Sequence, residues 1–502
     1  MDSDAGKDIE YVRGVVAQRF PVYDTRVTPQ AVQFLVTVDP ATMEAKFEDL
    51  RKELVPKNFI PFLTREGGEH TILVQRRLPQ RFVGWHMNLV LLGLTIATTM
   101  WAGAASWEGY SKVPWTSPEA IAMGTLTFTL PLMAILGIHE MGHYVMAKRY
   151  QVHASLPFFI PAPGTILGTF GAMISIRDPL PNRKALVDIG AAGPILGLLT
   201  AIPVTLVGLL LMSVDPRPVP PNLGGSYSIQ LPFLYQILAL FIPIPQDTVL
   251  HPTAFAGWVG LFVTALNLLP AGQLDGGHVA RAVLGERSKY LSWAALIAML
   301  ALGTLTVFGG WLIIALFILL LGARHPPPLN DLTKLDGKRH GLAAVVLVVV
   351  LLSFVAIPMQ IIPPEGGVQF EDVNAPGTPV QALTTNVSRG NTTSFSFLVN
   401  NTGNVLTNIT LSTDSLDIGN ARLRVSLGEV RIGNRTVAVN ANDTYFILNS
   451  SEVARVTMVL NATGYTGGLG QNWTFQVRAR IDPDYLEPYD FPQPLRITMR
   501  VE

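Results

Sequence analysis

Hydrophobic and polar positions divide the chain into three regimes. In residues 1–80 short apolar periods alternate with charge. "IEYVRGVVAQRF" (9–20) and "ATMEAKFEDLRKEL" (41–54) repeat apolar residues at helical spacing, whereas "VQFLVTV" (32–38) has strand character and "IPFLTRE-GG-EHTILVQ" (60–75) reads as two strands joined by a Gly-Gly hairpin. A small α+β domain is predicted there. Between 83 and 362 long apolar runs dominate. Candidate spans fall at about 84–106, 118–147, 183–212, 253–271, 289–305, 307–323 and 341–361, each long enough or nearly so for the ~20 helical residues that cross a bilayer. The stretch 289–323 reads either as two helices or as one broken helix. "LPFLYQILALFIP" (231–243) is too short to cross and is expected to lie in the interface. Beyond 363 the chain turns polar again. There "SFSFLV", "LRVSLGEV", "ARVTMVL", "WTFQVRARI" and "PLRITMRVE" alternate with period two, and "NNTGNV" makes a turn, the pattern of a β-sandwich. The predicted architecture is a polytopic α-helical membrane protein of about seven spans (81–362), preceded by a small α+β domain (1–80) and followed by a β-sandwich (363–502).

Composition agrees and narrows the chemistry. Hydrophobic residues make up 49% of the chain and charged residues only 14%, which suits a membrane protein. Lys+Arg and Asp+Glu balance at 36 each, so no global field points to nucleic acid. The chain has no cysteine, which removes disulfides, thiolate metal sites and thiol nucleophiles together. Any metal must be held by His, Asp or Glu. The acidic start "MDSDAG" leads into no short apolar run, so neither a signal peptide nor a transit peptide is expected.

Lys and Arg orient the spans. "QRRLPQR" precedes the first, "AKRY" ends the second, "RDPLPNRK" precedes the third, "RAVLGERSK" follows the fourth, and "ARHPPPLNDLTKLDGKRH" lies between the sixth and seventh. The opposite loops, 107–117 and 213–252, carry only Lys112 and Arg217. Seven spans with a cytosolic N-terminus satisfy every loop and put the C-terminal domain outside the cell membrane. That domain also holds nine Asn-x-Ser/Thr sequons, at Asn386, Asn391, Asn400, Asn408, Asn434, Asn442, Asn449, Asn461 and Asn472, which suits export.

One group breaks the apolar pattern. "GIHEMGH" (137–143) sets two histidines and a glutamate inside the second span, where a charged side chain costs roughly 2.5–3.5 kcal/mol even on a lenient insertion scale. His139 and His143 are four residues apart, so on a helix they share a face and can share a metal, with Glu140 placed to activate water rather than to ligate. As a bare five-residue pattern it recurs by chance. At membrane depth three polar groups need partners, and an ion supplies them. Catalytic zinc takes three protein ligands, so a third must come from elsewhere. Asp275, in "NLLPAGQLDGGH" (267–278), stands out among the few acidic residues of the apolar region. Its glycines Gly272, Gly276 and Gly277 let backbone bend nearby. Alone, Asp275 reads as the N-cap of the helix "GGHVARAVL".

Together, His139-Glu140-x-x-His143 and Asn267-x-x-Pro270-x-x-x-x-Asp275-Gly276 resemble the paired signatures of the site-2 protease family of intramembrane zinc proteases. The likeness covers roughly residues 80–340. It implies one zinc per chain, held by His139, His143 and Asp275, with Glu140 as the base and Asn267 steadying the substrate or the developing oxyanion. It also implies a membrane-protein substrate whose transmembrane helix unwinds locally. Residues 154–178, apolar yet broken by prolines and glycines, are then expected to form a re-entrant hairpin. Gly171, Ala172, Met173, Ile174, Ser175 and Ile176 would be its edge strand, pairing with the extended substrate. The absence of a PDZ-like insertion, and "LND" after a Pro run, resemble plant and cyanobacterial members. The C-terminal domain resembles immunoglobulin-like domains of microbial surface proteins, which suggests a prokaryotic source, archaeal among the candidates.

Other polar residues carry weaker expectations. The Gly190–Pro194 segment is expected to let helices pack closely. His278 is either close to the metal ligands or a water-facing helix start. His86, His153 and His251 are expected at span ends, and Arg177 and Asp178 at the membrane edge. Two other functions stay open at this level: an ion or zinc transporter, which leaves Glu140 and the Asn-Pro spacing without a task, and a non-catalytic receptor with a zinc site. The sequence names neither the substrate nor an oligomeric state.

Overall fold

The computed structural model describes residues 2–28, 31–77, 85–176, 178–222, 224–245, 248–322, 325–413, 423–440 and 443–502. Arg177, Asn442 and part of "QRRLPQR" lie outside the described residues. The chain forms two units, one from residues 1–218 and 230–358 and the other from 219–229 and 359–502.

The first unit opens with two helices, α1 (Asp2–Ala17) and α2 (Met43–Leu54), and four antiparallel strands, β1 (Val22–Val27), β2 (Ala31–Val36), β3 (Phe59–Glu66) and β4 (Glu69–Arg76), in the order β1-β2-β4-β3. Strand β1 was not expected. Its burial lacks the alternation that betrays a half-buried strand, so pairing with β2 alone defines it. Helical apolar faces (Val12, Val16, Phe47, Leu50) bury one side of the sheet through Phe34, Leu63, Ile72 and Val74. Edge strand β3 is closed by a distant tripeptide. Leu63 N–H donates to Leu329 O at 2.7 Å, and Asp331 N–H donates back to Leu63 O at 3.2 Å. Leu329 N–H and Asn330 N–H reach Leu180 O and Pro181 O, both at 2.9 Å. The Leu-Asn-Asp after the Pro run therefore ties the sheet to the Leu180-Pro181 segment, and the Leu329 side chain enters the core between the sheet and helices α1 and α2.

The remaining helices of this unit are α3 (Trp85–Ser111), α4 (Pro118–Gly124), α5 (Leu130–Arg149), α6 (Arg183–Val214), α7 (Phe233–Ala239), α8 (Pro252–Asn267), α9 (Asp275–Leu284), α10 (Ser288–Leu305), α11 (Gly310–Leu321) and α12 (Gly337–Ser353). A π-turn at Thr125–Thr129 joins α4 to α5. Among the described residues four helices are long and apolar enough to cross a membrane: Trp85–Ser111, Pro118–Arg149, Arg183–Val214 and Asp275–Leu305. This is fewer than the seven expected spans. Helix α8 has only 16 residues and is buried almost throughout, so protein rather than lipid surrounds it. The 289–323 stretch resolves into two helices, α10 and α11, separated at Thr306–Gly309, with Gly303 against Leu312. Helix α12 stops at Ser353. Prolines follow at 358, 363 and 364, and Met359–Ile361 is a strand, not the end of a span. Segment 231–243 contains only the seven-residue helix α7.

The second unit is a β-sandwich of two six-stranded sheets. Every segment expected to alternate is a strand, and the period-two positions Phe397, Ile409, Val456, Phe475 and Ile497 meet in one core. Strand Ala382–Val387 pairs in parallel with Leu495–Val501, the other principal pairings being antiparallel. Residues 219–229 join this unit through a short ladder between Tyr227–Ile229 and Met359–Ile361.

Candidate metal centre

Helix α5 carries the "HEMGH" run, and its i, i+4 spacing turns His139 and His143 to one side. Both rings and Glu140 are buried. His143 Nδ1 lies 2.8 Å from Ile189 O. A carbonyl only accepts, so Nδ1 carries the proton and the Nε2 lone pair points inward, the arrangement that orients a ligating histidine. His143 Nε2 lies 3.2 Å from His139 Nε2 and 3.2 Å from Asp275 Oδ2, and His139 Nε2 lies 3.3 Å from Asp275 Oδ2.

Asp275 does not cap α9. Leu274 holds the N-cap position without a side-chain bond, and Asp275, the first helical residue, turns its carboxylate to the two imidazoles. The chain between α8 and α9 doubles back tightly to allow this. A Cβ on Gly276 would stand 2.0 Å from Leu268 O, so only glycine lets the start of α9 lie on the end of α8. The same turn brings Asn267 Nδ2 to 3.2 Å from His139 Nε2.

His139, His143 and Asp275 form the one group of three among the described residues able to hold an ion. Bonds of 2.0–2.1 Å in tetrahedral geometry put ligand atoms about 3.3 Å apart, and the three observed spacings match, so two imidazole nitrogens and a carboxylate suit zinc in donor type and in distance. Glu140 stands apart, its Oε1 3.9 Å from His139 Nε2, with the Ile174 backbone facing its carboxylate.

Helix α6 shapes the cradle. A Cβ on Gly193 would fall 2.1 Å from His143 Nε2, and one on Gly197 2.9 Å from His139 Nδ1. The Gly190–Pro194 segment was expected only to let helices approach. The specific apposition to the two histidines is invisible in sequence because it depends on how α5 and α6 cross.

The 154–178 stretch contains a hairpin of β5 (Phe158–Pro161) and β6 (Thr169–Met173), with Phe158 opposite Met173. The expected edge strand is shorter than "GAMISI": Gly171, Ala172 and Met173 lie in β6, whereas Ile174, Ser175 and Ile176 run beyond it, Ile176 forming a single bridge with Ala154. Beyond Met173 the partner strand has ended, so no ladder continues. Helix α3 fastens the hairpin, with Asn88 Nδ2 donating to Leu156 O (2.7 Å) and Thr98 Oγ1 to Gly168 O (2.6 Å). Neither residue was singled out in the sequence.

The other histidines separate. His278 is half-buried and hydrogen-bonds His325 rather than the ligand cluster. His251 is buried and caps α8, accepting from Thr253 N–H at 3.1 Å. His153 Nδ1 sits 2.6 Å from Asp178 Oδ2, and Arg77 Nη1 donates to Asp178 Oδ1 at 2.7 Å. Burial pushes the Asp178 carboxyl up, but bonds from His153 and Arg77 hold it below its ordinary value.

Residues 127–310 match the model of peptidase family M50. Curated relatives include plant proteins. "Probable zinc metalloprotease EGY1, chloroplastic" of Arabidopsis thaliana is 31% identical over 296 residues, 54% of this chain and 52% of that protein. The protein of the same name from Oryza sativa subsp. japonica is 35% identical over 244 residues, 45% of this chain and 40% of that protein. "Probable zinc metalloprotease EGY2, chloroplastic" of Arabidopsis thaliana is 29% identical over 238 residues, 45% and 40% of the two chains. The chain thus spans about half the length of the curated relatives it matches. They agree with the plant-like branch expected from sequence, and the expected prokaryotic source is not borne out by them.

Proposed function

We propose, from the peptidase family M50 (site-2 protease) domain that the chain carries across residues 127–310, that it is an intramembrane zinc metalloendopeptidase. It would hydrolyse peptide bonds within or near transmembrane segments of membrane proteins. The observation that carries this reading is the triangle of His139, His143 and Asp275 with Glu140 beside it and outside it. In this reading the three residues hold zinc, which when bound polarises the scissile carbonyl and makes water acidic enough to react near neutral pH. Glu140 takes the proton from the attacking water and returns it to the leaving amine. Asn267, beside His139, presents its amide to the substrate carbonyl. Strand β6, with Gly171–Met173 and the following Ile174–Ile176, holds the unwound substrate extended. Burial of the site keeps bulk water away, so water reaches the bond only where Glu140 can use it.

The transporter and receptor readings are not favoured, because neither gives Glu140 a task beside an intact ligand triangle. Asp275→Ala in purified protein should lower bound zinc as far as His139→Ala does, read by atomic absorption. Unchanged metal content would take Asp275 out of the ligand set.

The topology we infer has seven crossings with a cytosolic N-terminus and residues beyond about 365 outside. It rests on the Lys/Arg asymmetry of the loops and on the clustered sequons. The short helices α8, α11 and α12 would then cross within a wall of longer ones. Protease added to sealed cells should trim the β-sandwich and spare residues 1–80; trimming of the N-terminal domain instead would invert the orientation.

A further inference from the structure

The sheet of the N-terminal domain has a second apolar face. Helices α1 and α2 cover one side through Leu63, Ile72 and Val74. Period two turns Ile60 and Phe62 of β3 and Leu73 of β4 to the other side, where all three are half-buried. A sheet face turned to water would be polar at these positions. Here they wall a cavity of about 720 Å³, inside the range of roughly 300–1,000 Å³ typical of ligand sites. Across from them stand Ile176, Leu180 and the Pro326–Pro328 run, with Gln273 and His278 closing the inner end.

That inner end identifies the occupant. Gln273 and His278 flank Asp275 on α9 and the turn before it. Ile176 is the continuation of β6, whose extension at Ile174 touches Glu140. A polypeptide laid along β6 with a bond at the ligand triangle leaves the site past Ile176. It would enter this cavity and meet the exposed face of β3 and β4.

We propose that the N-terminal domain is a substrate exosite: the cavity binds the extended, apolar segment of the substrate that flanks the scissile bond on the side of this domain. The proposal rests on the protease reading above. The lining mixes polar Thr64, Gln75, Gln273 and His278 with apolar walls, which suits the amides and side chains of an extended peptide better than an acyl chain. Of the charged groups on the lining, the Asp178 carboxylate is engaged by Arg77 and His153, and Arg76 is paired with Asp8, so the cavity favours uncharged, apolar side chains. The tripeptide Leu329–Asp331, bonded to both β3 and the segment before α6, holds the sheet face in register with the exit.

The test uses the full-length protein in detergent and two labelled transmembrane peptides. One carries an apolar extension on the side of the N-terminal domain, and the other a Gly-Ser stretch of equal length. The wild type should favour the apolar-extended peptide about tenfold or more in kcat/KM, since even one methylene in an apolar pocket is worth about that. Phe62→Ser and Leu73→Ser should each erase most of that difference and leave the Gly-Ser peptide unaffected. In Glu140→Gln protein, a photo-crosslinking residue at Leu73 should label the apolar extension and not the Gly-Ser one. Equal wild-type efficiency on the two peptides, or variants that slow both alike, would overturn the exosite, as would crosslinking that ignores the extension. Selective crosslinking with no cleavage of either peptide by the wild type would instead keep the peptide-binding cavity and sink the protease reading.

Discussion

Glu140→Gln protein should keep its full complement of zinc while cleavage of a labelled transmembrane peptide falls by about 10²–10⁴, the usual worth of a positioned acid–base group. Glu140 Oε1 lies 3.9 Å from His139 Nε2, whereas the three ligand atoms stand 3.2–3.3 Å from one another. In the proposed mechanism the carboxylate is therefore beside the metal position and not part of it. Glutamine keeps the size and one oxygen facing the Ile174 backbone, while the basic oxygen is lost. The buried site loses a charge as well, which at membrane depth is costly, so the variant should be no less stable in a thermal melt. Zinc by atomic absorption beside cleavage rate decides the matter. Retained zinc with intact cleavage would remove Glu140 from the mechanism, and lost zinc would make it a ligand.

The His139, His143 and Asp275 cluster was legible in the sequence because each part is short-range. His139 and His143 are one helical turn apart, and Asn267 and Asp275 lie on one turn between two helices. Their meeting is long-range, but two motifs that each make little sense in hydrocarbon explain each other. The small domain was legible wherever period decided it, as in the Gly67-Gly68 hairpin. Strand β1 was missed since four of its six residues are exposed and no alternation marks it. Four of the seven expected spans are helices long and apolar enough to cross among the described residues, and the others are shorter than their hydropathy suggested for a physical reason. Hydropathy records that a helix is apolar but not whether lipid or protein surrounds it, so the enclosed α8 and the twelve-residue α11 both read as spans. Contacts that depend on helix crossing or on distant loops left no trace: His325 against His278, Asn88 on the β5–β6 hairpin, and Leu329 in the core beneath α1 and α2.

Gly193 carries the other large effect. In sequence it sits in a run of small residues whose ordinary use is close helix packing. In the fold its missing side chain is the space that the His143 ring occupies, since a Cβ would stand 2.1 Å from Nε2, well inside contact distance. The obstacle is a short, rigid methyl fixed to α6, and the displaced atom is the proposed ligand nitrogen. His143 cannot yield by swinging away without breaking the bond from Nδ1 to Ile189 O. Gly193→Ala should therefore cost most of the bound zinc, and with it cleavage, although the substitution adds one methyl and raises helix propensity by about 1 kcal/mol. The control is Gly137→Ala on α5, two residues from His139, where a Cβ meets nothing within 4 Å. It gains the same propensity and should bind zinc and cleave as the wild type does. Gly197→Ala belongs between them, because its Cβ would meet His139 Nδ1 at 2.9 Å, on the ring edge away from the cluster. Zinc per chain should then fall in the order Gly137→Ala, Gly197→Ala, Gly193→Ala. Full zinc in the Gly193→Ala protein would mean that α6 can move off α5, and that His143 is held by its own helix rather than by the cradle.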